Sequence, residues 1–379
     1  MFYTRSIQIN KDLFLPLLFR DDTNQPCYIF LKFVLLDLRY KYSKTNIRNK
    51  LYCIKRLYQY SESRYQSFEN LLIRGEKQPI QDIIDSFIYY ILDSTSRYKQ
   101  SVDYRNLILR SVNDFIEFIN RDYNLEISLT KLRSFIIKSR TTLQRKNNRD
   151  IDSDFLLTVV HIASPSSEFN PFKEDEGIRI RNFVIVSLLQ ETGIRKGELL
   201  TLKIDSYQEF GDRFYIEIMD DPEEFDPRFS PPSVKNLQSN RTVAISKELF
   251  MVIHFYVITY RNVESNSVSK FLFLSEKGNP LGKNALANII KKLVQKANEI
   301  TNSNYNISPH DFRYAFANNF LSFLIDEKGY PLDKALDQLR AIMGWTLTSV
   351  MPSKYAANYI SDKANFTNLK RIESFYENL

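Results

Sequence analysis

Residues 191–206 read ETGIRKGELLTLKIDS, and residues 308–320 read SPHDFRYAFANNF. In the first, an apolar helix over 182–190 ends at Gly193, Arg195 sits in the turn, and a short helix follows over 197–202. Held at a helix junction with the Glu198 carboxylate beside it, an arginine has a fixed guanidinium direction. That suits bidentate recognition of a phosphate. In the second stretch Pro309 marks a helix start, and His310 and Arg313 stand three apart on one face. The imidazole can exchange a proton and the guanidinium can neutralise an oxyanion. Either stretch alone also reads as an ordinary surface pair, so the weight lies on their company.

Two further stretches supply that company. Residues 343–360, MGWTLTSVMPSKYAANYI, hold the chain's only tryptophan, Trp345, directly after Gly344. Tyr355 comes ten residues later and Tyr359 one helical turn beyond it. Residues 233–245, SVKNLQSNRTVAI, place Lys235 in a loop that enters a strand over 241–245. A loop-tip lysine there can reach into a groove and give a proton to a leaving oxygen. Residues 213–219, RFYIEIM, alternate with a period of two and read as a second strand.

Composition narrows the class. The 379 residues correspond to about two or three domains. A hydrophobic content of 43% is too high for a disordered chain. Basic residues exceed acidic ones by 52 to 45, a net charge of +7 that permits a polyanionic partner. Two cysteines exclude a disulfide scaffold and a cysteine-rich zinc module. Of the three histidines, His161 and His254 sit in apolar runs and are expected in the core, which leaves little for a metal site. The nine glycines form neither a dinucleotide fingerprint nor a P-loop. The most apolar stretch, 249–260, is shorter than the ~20 residues a membrane span needs. No signal peptide is expected at the start, so the chain reads as soluble and intracellular.

Residues 1–140 are expected to be mostly helical, a bundle of about four helices. Ile47, Leu51, Ile54 and Tyr58 recur at helical spacing after a candidate cap at Thr45, with Arg48, Lys50, Lys55 and Arg56 between them. Ile83, Ile84, Phe87, Ile88 and Ile91 repeat the pattern, as do Ile108, Val112, Phe115 and Ile119. A fourth helix is expected over 28–38, and 93–100 reads as a polar connection. Residues 141–153 form a polar linker whose basic character includes Arg145 and Lys146. Residues 154–379 are mixed, with the strands above and helices over 247–261, 283–300, 309–324, 331–343 and 353–360. A separate helix is expected over 366–376, in a tail at 361–379. The expected class is mainly α with a small β-sheet.

The ordered set from Arg195 to Tyr355 resembles the tyrosine recombinases, the phage-integrase family of site-specific DNA recombinases. TGIRKGELLTL is similar to that family's T-G-[LI]-R-x-x-E-L, and HDFRYAFA to H-x-L-R-H-x-[FA]-A with Phe312 in the Leu slot. MGW and KYA are similar to [LM]-G-[HW] and x-Y-[AT], and Lys235 precedes Arg241 as the family's lysine precedes an arginine. The resemblance covers about 175–360. The Trp345–Tyr355 spacing is one residue longer than usual, with the extra residue expected at a Met351–Pro352 turn.

The resemblance implies a SAM-like core-binding bundle followed by a catalytic domain, the two clamping duplex DNA that carries specific recombination sites. Tyr355 would be the nucleophile, with Tyr359 as the alternative, and a 3′-phosphotyrosyl intermediate would conserve the bond energy. Arg195 and Arg313 would clamp the phosphate, Lys235 would protonate the leaving oxygen, and His310 would assist proton transfer. Trp345 would donate its indole N–H, and Glu198 would orient its neighbours. No metal, ATP or other cofactor is implied. The basic positions Arg48, Lys50, Lys55, Arg56, Arg145 and Lys146 would contact DNA. A homotetramer on synapsed DNA is implied, its tail a candidate for docking on a neighbour, with accessory DNA-bending or partner recombinase proteins possible. The setting would be a mobile genetic element and the location cytoplasmic, nucleoid-associated when bound to DNA, away from any membrane. A tyrosine-type topoisomerase and a catalytically degenerate DNA-binding relative are the alternatives.

Overall fold

The computed structural model describes residues 2–8, 14–42, 44–64, 66–93, 102–141, 153–172, 175–219, 226–228, 231–232, 240–261 and 269–377. They form two compact units, 1–147 and 148–379.

The first unit opens on an antiparallel hairpin, β1 (Phe2–Gln8) and β2 (Phe14–Arg20), in register from Phe2↔Arg20 to Gln8↔Phe14. The rest of the unit is mostly helical, as expected, but this hairpin was not anticipated. In β2 the successive residues Leu17, Leu18 and Phe19 are all buried, so no alternation marks it in the sequence. Helix α1 (Tyr28–Phe33) runs through a π-helical turn, Val34–Leu38, into α2 (Arg39–Lys41). There follow α3 (Lys44–Arg64), α4 (Phe68–Arg74), α5 (Lys77–Leu92), α6 (Val102–Tyr123) and α7 (Thr130–Thr141). The apolar stripes read from α3, α5 and α6 are buried in one core. At its centre Tyr58 meets the rings of Phe2, Phe30 and Phe68 at 5.6, 4.8 and 5.4 Å. Glu69 of α4, also buried, accepts from Arg20 at 3.1 Å and from the Ile29 N–H at 3.3 Å, tying β2 and α1 to α4. The connection at 94–100 and the linker at 142–152, with Arg145 and Lys146, lie outside the described residues.

In the second unit α8 (Ser153–Ala163), α9 (Glu176–Thr192) and α10 (Lys196–Thr201) precede a three-stranded antiparallel sheet. Its strands are β3 (Tyr207–Phe210), β4 (Arg213–Ile218) and β5 (Arg241–Ile245). Ile216, Ile218, Val243 and Ile245 turn inward from the sheet. Helix α11 (Lys247–Phe255) continues through a π-helical turn, Tyr256–Arg261; α12 (Lys283–Thr301), α13 (Pro309–Ser322), α14 (Leu332–Ile342) and α15 (Met351–Glu377) complete the unit. Helix α8 and strand β3 were not anticipated. The helices expected over 353–360 and 366–376 are one helix, because residues 361–365, SDKAN, contain no glycine or proline to stop it. His161 and His254 are exposed on their helices, not in the core. Their neighbours are apolar because those helices bury their other face. Among the described residues no helix is long and apolar enough to cross a membrane.

Phe115 is fully buried and meets Phe30 and Phe33 at 5.1 and 5.3 Å. Phe115→Ala is expected to destabilise the first unit by about 3–5 kcal/mol in urea unfolding of the whole chain. A loss below about 1 kcal/mol would contradict this packing.

Candidate active site

The site grows from three chain reversals in the second unit. Helix α9 is capped by Asp175, whose side chain accepts from the Ile178 N–H at 2.9 Å, and ends at Gly193 in the left-handed conformation, φ +56°. A Cβ at Gly193 would lie 2.7 Å from the Phe316 ring, so glycine is required on two counts. Arg195 then caps α10, and its backbone N–H donates to Glu198 Oε2 at 2.9 Å. Helix α13 starts where the Asp311 carboxylate accepts from the Ser308 N–H and hydroxyl at 2.7 and 2.6 Å, with Pro309 in the first position. Helix α14 ends at Ile342, and Gly344 takes φ +60°.

Glu198 is 1% exposed and is the anionic centre. It accepts from Arg195 Nη1 at 2.5 Å and from Arg241 Nη2 at 2.9 Å. Burial pushes its carboxyl up, but the guanidiniums of Arg241 and Arg195 outweigh that and hold it below the ordinary carboxylate range. The same arginines reach the end of α14. Arg241 Nε donates to the Ile342 carbonyl at 2.8 Å and Arg313 Nη2 to the Met343 carbonyl at 2.6 Å. Arg195 Nη2 donates to the Gly344 carbonyl at 3.3 Å, and Arg313 Nη1 to the Gly193 carbonyl at 2.7 Å. Three successive carbonyls thus receive three different guanidiniums, at the end of a helix where carbonyls lack intrahelical partners. The approach is close: a Cβ at Gly344 would lie 2.6 Å from Arg241 Nη1.

Arg313 is 3% exposed. Burial, then the charge of Arg195, brings its guanidinium down to about 9, with Glu198 opposing and Arg241 adding to the shift. Three guanidiniums stand against one carboxylate, so this cluster favours an anion. Beside it the Arg313 guanidinium lies 5.4 Å from the Trp345 ring. Trp345 stacks on Tyr355 at 5.3 Å and 26°, and the Tyr314 ring also meets Tyr355, at 5.3 Å and 40°. Tyr355 is 3% exposed; burial raises its hydroxyl above the ordinary phenol range, Arg313 and Arg195 pull it down, and Tyr314 pushes it up. The phenol is therefore protonated at neutral pH and must lose its proton as it attacks.

Of the residues read from the sequence, Arg195, Glu198, Arg313, Trp345 and Tyr355 converge here. His310 stands exposed in the first turn of α13, three residues before Arg313. Tyr359 is engaged elsewhere, donating to Asp326 at 2.8 Å and accepting from Lys363 at 3.0 Å. Between Trp345 and Tyr355 the chain runs through a non-helical stretch over 346–350, and Met351 and Pro352, where a turn was expected, begin α15. Lys235 lies outside the described residues. In the first unit Arg48 donates to the Ser6 hydroxyl at 3.0 Å, while Lys55 and Arg56 are half-buried, Arg56 4.9 Å from the Tyr104 ring. Lys50 turns inward, paired with Asp114 and 4.4 Å from the Tyr42 ring. The reading missed Arg241 and Tyr314 as parts of the site. The signal for Arg241 was present: in RTVAI it shares a face with Val243 and Ile245, and an arginine on a buried strand face implies a buried partner.

A guanidinium cluster beside a buried, stacked tyrosine, on a mainly helical scaffold, sets a phenol next to a place suited to a phosphate. The model of the Phage integrase family matches residues 166–361, just over half of the chain, which therefore belongs to that family. The tyrosine recombinase XerD of Corynebacterium glutamicum is 27% identical over 144 residues, 38% of this chain and 40% of XerD. The match thus spans well under two thirds of that relative. Among solved structures, the XerH site-specific recombinase bound to a palindromic difH substrate is 14% identical, with 88% of this chain and 81% of that one covered and a TM-score of 0.57. The Tn1549 transposon integrase in complex with a circular intermediate DNA is 16% identical, with 90% and 98% covered and a TM-score of 0.58. At these identities the likeness is one of fold, and it matches the mainly helical architecture with small sheets implied by the sequence.

Because Glu198 is held below its ordinary range, its pairing contributes stability that is fully present above about pH 4.5 and is lost as pH falls through its folded value. Glu198→Gln is expected to cost roughly 3 kcal/mol at pH 7. Its deficit against wild type should shrink as the pH is lowered toward about 3. A deficit that stays constant across that range would contradict an ionised Glu198.

Proposed function

We propose that the chain cuts and rejoins duplex DNA through a covalent 3′-phosphotyrosyl intermediate, with Tyr355 as nucleophile. The observation that carries this reading is the stacking of Tyr355 on Trp345, against Arg313 and within the charge field of Arg195. The Tyr355 oxygen attacks the phosphorus as its proton leaves; the bond from phosphorus to the 5′-oxygen breaks, and that oxygen departs as a hydroxyl after taking a proton. Attack of a 5′-hydroxyl on the phosphotyrosine reverses the step and restores the phenol. Arg195 and Arg313 neutralise charge on the non-bridging oxygens. Lys235 gives a proton to the leaving 5′-oxygen, and His310 assists proton transfer near Tyr355. Glu198 and Arg241 act by holding Arg195. Arg48, Lys55 and Arg56, with the linker's Arg145 and Lys146, are assigned to phosphate contacts, and affinity then falls steeply with salt.

We assign the tail to assembly. At 1.5 Å per residue, α15 is about 40 Å long. Its first turns are anchored by Tyr355, whereas Phe366, Leu369, Ile372 and Phe375 are exposed. These four recur at helical spacing and suit a groove on a neighbouring copy, a head-to-tail contact that closes into the ring of four needed to join two duplexes. Deletion of residues 361–379 is expected to leave binding to one site within about twofold and to abolish assembly on paired sites in native gels. Unchanged assembly would contradict the assignment.

The decisive test of the chemistry is covalent trapping on duplexes from the gene's own flanking ends, nicked beside the cleavage position. Wild type and Tyr359→Phe are expected to give protein–DNA adducts on denaturing gels, and Tyr355→Phe none, with DNA binding intact. Adducts from Tyr355→Phe would overturn the nucleophile; loss only in Tyr359→Phe would move it one turn along α15.

A further inference from the structure

We propose that Tyr314 is a positioning residue for the nucleophile: its ring and that of Trp345 hold Tyr355 between them and set the direction of its hydroxyl against the arginine pair. The inference rests on Tyr355 being the nucleophile. Tyr355 makes two ring contacts at the same centroid distance, 5.3 Å, with Tyr314 tilted by 40° and Trp345 by 26°. Neither ring is isolated from the phosphate clamp. Tyr314 directly follows Arg313 in α13, and Trp345 directly follows Gly344, whose carbonyl accepts from Arg195. Successive residues of a helix point about 100° apart. One turn of α13 therefore sends Arg313 to the Gly193 and Met343 carbonyls and Tyr314 to Tyr355. The nucleophile is referenced on both sides to backbone that also fixes an arginine. A phenol with two rotatable bonds, held by two rings, has little freedom left to misdirect its oxygen. Tyr314 stands where the family signature quoted above has a histidine, so the contact belongs to this chain's own residues.

The test uses the full chain on the nicked duplex, with single-turnover adduct formation at saturating DNA. Tyr314→Leu and Tyr314→Ala are expected to slow it about three- to tenfold, while the Kd for DNA changes less than about twofold. Tyr314→Phe should restore the rate, because the ring and not the hydroxyl carries the effect. Trp345 is the chain's only tryptophan and reports the stack directly. Its fluorescence should shift in the Leu and Ala variants and return to the wild-type spectrum in Tyr314→Phe. A Leu variant as fast as wild type would overturn the proposal, as would a Phe variant as slow as Ala. If Leu and Ala melt below the assay temperature, Tyr314→Met replaces them with the same expected slowing. Tyr355→Phe is run alongside: an adduct there would bring down the nucleophile assignment and leave the effect of Tyr314 on the Trp345 spectrum to be judged on its own.

Discussion

The carbonyls of Ile342, Met343 and Gly344 each accept a hydrogen bond from a different arginine, and the rest of the site depends on that convergence. A helix end supplies acceptors with partial negative charge and no intrahelical donors. Guanidiniums satisfy them while keeping other N–H groups for Glu198 and for an incoming anion. Arg241 comes from the first position of β5, Arg195 from the cap of α10 and Arg313 from α13, so one backbone reversal registers three distant elements. Gly193 and Gly344 permit the approach, since a side chain at either would collide with Phe316 or Arg241.

Glu198 offsets part of the resulting charge and no more. Were each arginine matched by its own carboxylate, the site would have little attraction for a phosphate. With one buried carboxylate shared between Arg195 and Arg241, Arg313 is left with carbonyl partners, and burial beside Arg195 lowers its proton affinity. In the proposed reaction a phosphate placed against Arg195 and Arg313 would relieve that repulsion and direct binding energy to the oxygens that gain charge during transfer.

Much of this was legible in the sequence because the chemistry sits in short local patterns. The Gly193 cap, Arg195 and Glu198 lie within six residues, and the start of α13 is announced by Ser308, Pro309 and Asp311. The N-terminal hairpin was not legible, since β2 is apolar on consecutive positions and mimics a buried helix. The inward turn of Lys50 onto Asp114 was hidden because their pairing joins α3 to α6 across 64 residues. The continuity of α15 was missed because a polar stretch reads as a connection even when nothing in it breaks a helix. Tyr314 was passed over among 23 tyrosines; only its distance to Tyr355 sets it apart.

The central claim is that the arginines act by neutralising charge on the phosphate that Tyr355 attacks. The most direct measurement replaces that phosphate with a neutral methylphosphonate and compares wild type with Arg195→Ala, whose folding is checked by melting. On the ordinary phosphodiester the variant should lose covalent capture. On the neutral linkage it should recover most of it, because no charge remains to be clamped. A variant equally inactive on both would contradict charge neutralisation and leave Arg195 a structural partner of Glu198 and Gly344.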